Sequence, residues 1–505
     1  MFEFVRKYKA EKPLFLLLVV ALIPRIISIL FSKGYGMHDD HYLIVEAAQS
    51  WVDGYDYNSW LPKNRPNSDP TGHSWFYVGL HYYFFLFLDL INLGEPGTKM
   101  FIVRLLHGFY SLLALPPLYY IGKQISNKDL AFKAVLVYGL LWFLPILSVR
   151  NLVELVSVPP LLWATWLLVK NDNQKIKNVV LAGLLMGVAM SIRLHMSLFI
   201  GGIGLVLLFK KRLVHAIVFG ISVVVSLFVT QIGDIILWGR PFAEIGEYIA
   251  YNLANKTSYF NAPWYQYFGT IVGLLLPPLS LVWLIGYLGS WKKYALLFWP
   301  SFIFFAFHCY FPNKQERFIL PVFPFLVLLG TIGWYRFIEK KNSDGWRKTN
   351  TWFYRIFWGL NILLLLVVSP SYSKKSRVES MEFFATQPNY QGVIVEYSME
   401  YDVPMLPRFY AQAWNTIFYL SKDPEYTNKQ IEKFNKRTQE TRPNHVLFFE
   451  DTDLANREEQ FKKTFNCELE YLTRREPSYL DALLHKLNPN NSNETALIYL
   501  IKYNQ

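Results

Sequence analysis

Charge and cysteine are what this chain has least of. Only 17% of its 505 residues are Asp, Glu, Lys or Arg, and its two cysteines are Cys309 and Cys467. Two thiols so far apart give neither a metal-ligand spacing nor a disulfide framework, and nothing supports a bridge between them. So few charges cannot clothe a soluble enzyme of this length. The C-terminal region also lacks a glycine-rich phosphate loop, a P-loop and a nucleophile elbow, so it carries no nucleotide site of those kinds. No internal repeat or low-complexity tract stands out.

What is present is apolar: 52% of residues are hydrophobic and 18% aromatic. The apolar runs are longer than core helices require and recur many times, which predicts a polytopic α-helical membrane protein. The formal net charge of +12 would suggest nucleic acid if the cations clustered on a soluble face. They sit instead in short loops between apolar runs, so they report topology, and no nucleic acid is expected as a partner.

The first run, 13–31, follows Arg6, Lys7, Lys9 and Lys12 and is not followed by a small-residue cleavage site. It reads as a retained helix with its N-terminal flank in the cytoplasm. The run 75–92 is interrupted by His81 and Asp89. If it lies in the interface or re-enters, spans at 101–121, 131–148, 152–169, 177–192, 196–209, 214–233, 265–288, 294–308, 318–337 and 353–369 alternate cleanly. The basic connectors 122–128, 170–177, 210–212, 291–293 and 339–348 then all fall inside. The expectation is about eleven spans plus interfacial helices in residues 1–370, with residues 371–505 as a small extracytoplasmic α/β domain. Strand-like runs at 392–397, 445–449 and 496–500 and helical patterns at 406–420 and 426–438 mark that domain.

The same topology puts the first loop, within 32–100, on the outer face, and in it Met37-His38-Asp39-Asp40-His41-Tyr42. Two acids just outside a membrane are where a general base would meet lipid-borne substrates; equally, Asp39 and Asp40 could simply cap the short helix that follows. Outside too fall Arg150 to Glu154, Arg193-Leu194-His195, the loop 233–267 and the loop 308–317. Ionisable groups at the ends of apolar helices are costly, and their gathering on one side predicts a site. Lys314 and Arg317 suit a lipid-borne phosphate, Arg as a bidentate fork and Lys as a point charge, unless they snorkel or pair with Glu316. Arg193 is a further phosphate candidate, unless it serves a salt bridge to Glu154. His195 and His308 could move protons or merely pack.

Together these parts describe glycosyl transfer from a lipid phosphate, with Asp39 or Asp40 as base and Lys314, Arg317 and Arg193 on the phosphate. His38, His41, Arg150, Glu154, His195, Glu316 and Tyr265 would contact substrate. No resident cofactor is predicted, although an acidic pair flanked by histidines is also a set that takes a divalent cation. A lipid-glycan flippase or transporter, or a surface-glycan polymerase or ligase, shares the polytopic, basic character; the first would be expected to show repeated halves and broken helices near mid-bilayer.

At these residues the chain resembles the C-type (GT-C) integral-membrane glycosyltransferases, above all the dolichyl-phosphate-mannose-dependent mannosyltransferases of glycolipid-anchor and N-glycan assembly. The resemblance covers roughly residues 13–340. Asp39-Asp40 matches the Asp-Glu or Asp-Asp pair of the first outside loop, whose first acid is taken as base. Ser148 to Glu154 resembles an Arg-Thr-Leu-Ser-Asn stretch, and Ser191-Ile192-Arg193 an Ile-Arg-Pro. Gly239 to Leu253 with Pro263-Trp264-Tyr265 is similar to a Tyr-Gly, Tyr-Asn, Pro-Trp loop. Asn313-Lys314-Gln315-Glu316-Arg317-Phe318-Ile319-Leu320-Pro321 lies on His-Lys-Glu-x-Arg-Phe-x-x-Pro, with Asn313 and Gln315 departing from it. The resemblance implies direct inverting transfer of mannose or another hexose or pentose from a polyprenyl-phosphate donor to a glycan or lipid acceptor. It further implies a bacterial relative in the inner membrane, acting at the periplasmic face.

Overall fold

The computed structural model describes residues 10–62, 70, 75–170, 175–258, 260–397 and 403–504. The flanking Arg6, Lys7 and Lys9, part of the first loop and part of the 170–177 connector lie outside the described residues. Chain contacts divide the protein into two compact units, Met1–Leu30 with Asn58–Leu80 and Ile102–Pro370, and Phe31–Tyr57 with His81–Phe101 and Ser371–Gln505.

The first unit is helical. Among the described residues five helices are long and apolar enough to cross a membrane: Pro13–Phe31, Pro96–Ile125, Leu213–Thr230, Glu316–Lys341 and Asp344–Val368. Shorter apolar helices such as Ile176–Ile192 and Ala295–Tyr310 pack among them. With lipid outside, close packing rather than hydrophobicity joins such helices, and small residues permit it. A Cβ on Gly187 would stand 2.4 Å from Ser226 Cβ, so the helices Ile176–Ile192 and Leu213–Thr230 touch at their backbones.

Two expected spans are interrupted over four residues. Residues 131–148 form Lys128–Gly139 and Leu144–Ser148, broken between. The break is tolerated because its backbone groups find partners inside the protein, as apolar surroundings demand. Asn361 donates to Leu140 O at 2.8 Å and accepts from Trp142 N at 3.0 Å. The buried Arg25 donates to Gly139 O at 2.9 Å. Residues 265–288 likewise divide into Gln266–Leu274 and Leu279–Leu288 around Pro277 and Pro278, which lack the N–H a helix would need there.

The second unit holds one five-stranded sheet, β1 (Val393–Tyr397), β2 (Ile417–Ser421), β3 (His445–Phe449), β4 (Cys467–Arg475) and β5 (Ala496–Tyr503), in the order β2-β1-β3-β5-β4. β1 runs parallel to β2 and β3, while β5 is antiparallel to β3 and β4. The helices Pro424–Asn435 and Leu454–Phe465 bury Phe434, Phe461 and Phe465 against Ile394, Phe418, Val446 and Phe448 on one face. Helix Lys375–Ala385 packs against β4 and β5, and its Phe384 ring lies 5.3 Å from His445 of β3. With both faces covered, β1 and β3 are buried at every residue, which is why they are mostly apolar; the exceptions are His445 and Glu396, the latter paired with the buried Arg457. The expected helix at 406–420 is instead a short turn, Arg408–Ala411, followed by β2. Pro407 keeps the preceding Leu406 out of helical backbone, and Thr416-Ile417-Phe418-Tyr419 favours a strand.

The stretch Phe31–Tyr57, which holds the acidic pair, belongs to this second unit. Gly34 bridges to Ser373, and at its φ of +75° a Cβ would meet Ser373 O at 1.9 Å. Only glycine fits that crossing.

Candidate active site

The acidic turn is built from the chain just past the helix Pro13–Phe31. His38–Asp40 makes one helical turn, His41–Glu46 a π-helical turn and Ala47–Val52 an α-helical one. Neither acid caps the start: Met37 holds that position and Asp40 makes no capping bond. The wide turn separates the two acids by environment, leaving Asp39 half-buried and Asp40 buried. His38 is exposed; His41 is not.

Stacked rings, tyrosine hydroxyls and the Glu46 carboxylate surround this turn, and Lys374 lies 5.4 Å from the Tyr35 ring centroid. Tyr35 and Tyr410 both stack on the His41 ring, with centroids 4.5 and 5.7 Å away. His41 Nε2 lies 3.4 Å from the buried Glu46 carboxylate, which accepts from Phe409 N at 3.1 Å. Tyr42 OH lies 3.1 Å from Tyr35 OH and donates to Met405 O at 2.9 Å. Farther along, Lys99 joins Asp89 at 2.6 Å and Gln49 Oε1 at 2.7 Å, which gives the intramembrane-looking Asp89 a plain structural partner. Tyr35, Glu46, Phe409 and Tyr410 were not legible as site residues. Glu46 alone offered a signal, as an acid on an otherwise apolar helical stretch.

The first unit carries a cationic cluster. The loop after Ala295–Tyr310 enters a 3-10 turn at Glu316–Val322, and the proline at position 321 leads into the helix Phe323–Lys341. Glu154, 1% exposed, lies 3.0 Å from Arg193 Nη2 and 3.8 Å from Arg317 Nε. The contacts are of charge rather than aligned hydrogen bonds, since both Glu154 oxygens lack a hydrogen-bond partner among the described residues. The two guanidinium carbons stand 5.1 and 5.5 Å from the Phe318 ring centroid. Arg317 Nε also donates to Gln315 Oε1 at 2.7 Å. Arg150, buried, precedes the helical turn Val153–Val156 that presents Glu154.

Lys314 is placed otherwise than a surface cation. Its ammonium donates to His308 O and Cys309 O at 2.9 Å each, and to Phe311 O. It thereby closes the carboxyl end of the helix Ala295–Tyr310, where a cation suits the helix dipole. Burial pushes the Lys314 pKa down. Glu316 is exposed while Arg317 turns toward Gln315 and Glu154. Tyr265 is 59% exposed; the tyrosine that reaches the motif is Tyr267, bonded to Gln315 N and O at 3.1 and 3.0 Å. His195 and His308 stand with ring centroids 5.0 Å apart, and His195 Nε2 is 3.2 Å from Tyr248 OH. Both cysteines are free and buried. Among the described residues, no three His, Cys, Asp or Glu side chains gather as a metal would require.

The chain is similar to known proteins in sequence profile and in fold. The sequence profile of the Alg9-like mannosyltransferase family matches residues 15–400. No curated protein sequence matches the chain. ArnT from Cupriavidus metallidurans bound to undecaprenyl phosphate is similar in structure, with a TM-score of 0.59 at 13% identity over 96% of this chain and 97% of that one. The Archaeoglobus fulgidus oligosaccharyltransferase in complex with Zn and sulfate has a TM-score of 0.51 at 12% identity, over 89% of this chain and 69% of that one.

Proposed function

Since the chain belongs to the Alg9-like mannosyltransferase family and is therefore an integral-membrane glycosyltransferase, we propose that it moves a hexose or pentose from a polyprenyl-phosphate donor. The acceptor is a glycan or lipid on the extracytoplasmic side, the periplasmic face of an inner membrane. Residues 1–370 with about eleven spans would form the membrane part, and 371–505 an extracytoplasmic domain.

The observation that carries this reading is the arrangement Arg193–Glu154–Arg317 on the Phe318 ring. Two planar forks beside an aromatic face, held in place by a buried carboxylate, suit a phosphate whose tail lies in lipid. The undecaprenyl phosphate bound to ArnT is a ligand of that chemistry. Lys314 contributes its charge and fixes the loop that carries Arg317; for it to contact phosphate, one of its three carbonyl bonds would have to exchange.

Of the two acids, Asp39 is the better base because solvent, and hence substrate, reaches it. Asp39 takes the proton from an acceptor hydroxyl as that oxygen bonds to the anomeric carbon. The bond from that carbon to the phosphate oxygen breaks, and its electron pair leaves on polyprenyl phosphate, stabilised by Arg193 and Arg317. Displacement in one step inverts the anomeric centre. His38, beside Asp39 and exposed, would contact substrate, whereas His41 would support the turn.

The test offers the purified protein polyprenyl-phosphate-mannose, -glucose and -arabinose, each radiolabelled, with a membrane lipid extract as acceptor. Label should move onto acceptor from one donor with wild type and not with Asp39→Asn. Equal transfer by both proteins would reject Asp39 as base. Movement of intact donor across vesicles without transfer would favour a flippase.

A further inference from the structure

The end of the first unit away from the arginine cluster has a feature that glycosyl transfer does not use. The helices Leu279–Leu288 and Phe323–Lys341 cross on glycines: a Cβ on Gly286 would lie 2.5 Å from Gly330 O, and one on Gly333 2.6 Å from Gly286 Cα. Beside that crossing opens a cavity of about 590 Å³, lined by Gly289, Tyr294, Trp334, Phe337, Trp346 and Phe353. Its mouth also carries Lys293 and Arg336. A second cavity, about 340 Å³, shares Lys293 and Tyr294 and adds Lys210. No carboxylate lines either one among the described residues. Ile285, at the first cavity, is 70% exposed, so this wall faces the surroundings of the helix bundle.

Arg336 sits thirteen residues into the helix that starts at Phe323, about 20 Å along its axis from the Arg317 end. It is therefore a different place from the donor site. Lys210, Lys293 and Arg336 lie in or beside the basic connectors that the positive-inside rule assigns to the cytoplasm.

We propose that this cleft binds an anionic phospholipid of the phosphatidylglycerol type from the cytoplasmic leaflet. One acyl chain lies along the apolar, glycine-floored wall, and the phosphodiester meets Lys293 and Arg336. Charge selects the occupant: a cavity with a purely cationic rim and an aromatic floor suits an anionic headgroup on an apolar tail. A zwitterionic lipid gains the same apolar burial, yet its own ammonium faces the cations. Arg336 is held ready by stacking 5.0 Å from the Tyr294 ring centroid and by donating to Ile125 O at 3.2 Å.

The test is native mass spectrometry of the delipidated full-length protein, titrated with phosphatidylglycerol and with phosphatidylcholine. One phosphatidylglycerol should bind per chain in preference to phosphatidylcholine. Lys293→Gln should weaken it about fivefold, the value of one cation near an anionic headgroup. Gly289→Leu, which fills the cleft without touching charge, should weaken both lipids. Arg336→Gln should act like Lys293→Gln; if it fails to fold, Lys293→Gln and Gly289→Leu still decide. Equal binding of the two lipids, an affinity unchanged in Lys293→Gln, or displacement of the lipid by inorganic phosphate would overturn the assignment.

Discussion

The acidic turn and the arginine cluster differ in what holds them. Around His38–Glu46 stacked rings, tyrosine hydroxyls and a backbone N–H join the Glu46 carboxylate and the Lys374 ammonium as restraints. Around Arg317 they are charges: one buried carboxylate between two guanidinium groups, and an ammonium on helix carbonyls. That difference fits the work proposed for the cluster: a clasp for phosphate must keep its cations in place when no phosphate is there, and Glu154 would then be the stand-in anion.

Breaking the first region at its reactive atom should have the largest effect. Asp39→Asn should lower the transfer rate by about 10²–10⁴-fold with donor affinity nearly kept. Steady-state kinetics at varied donor would show a fall in kcat rather than a rise in KM. Arg317→Ala should cost about 10²–10³-fold in kcat/KM, as expected for losing one stabilising group on a leaving anion. Arg317→Lys should recover only part of it, because a point charge cannot replace the fork. An Arg317→Ala enzyme with unchanged donor kinetics would remove the cluster from the site.

A smaller effect should follow from the supports. Glu46→Ala leaves the Phe409 N–H without its acceptor and should destabilise the second unit by about 1–3 kcal/mol. Thermal unfolding and protease sensitivity of the C-terminal region would register it. The smallest expected effect lies in the loop 233–267, where Glu244 accepts from Trp75 N at 2.8 and 2.9 Å and Asp234 accepts from Glu244 N at 3.1 Å. Burial first, and then the neighbouring Asp234, holds the Glu244 carboxyl well above its ordinary pKa. A raised native pKa means the folded state binds the extra proton, so stability falls as pH rises from the ordinary carboxylate value through the raised one. Glu244→Gln should flatten that dependence in melting curves taken across this window.

Much of the helical part was legible because its cause is local. Apolar runs such as 13–31, 177–192 and 294–308 became helices with ends close to those expected, since hydrophobic length sets them. The break at 140–143 was not, because its backbone groups are satisfied by Asn361 and Arg25, which no window of sequence contains, whereas the break at 275–278 carries a local signal in Pro277 and Pro278. β4 was missed because Cys467 is its one buried residue and it contains no apolar run. In the site, Arg193 and Glu154 could be paired on sequence as one of two readings, and the structure brings them to 3.0 Å. The sandwich of His41 between Tyr35 and Tyr410 joins residues 375 positions apart along the chain at its widest, and only folding reveals it.

The bond from Phe409 N to Glu46 also sets a timetable. Its partners are 363 residues apart, and Gly34 waits in the same way for Ser373. A ribosome adding about 5–20 residues per second delivers Phe409 tens of seconds after Glu46. The acidic turn therefore emerges first and matures last, after the helices of the bundle have been threaded into the bilayer. A chain interrupted before residue 409 would carry Glu46 and His41 without the Phe409 and Tyr410 that meet them. If Asp39 is the base, half-made copies would carry it in an unfinished turn.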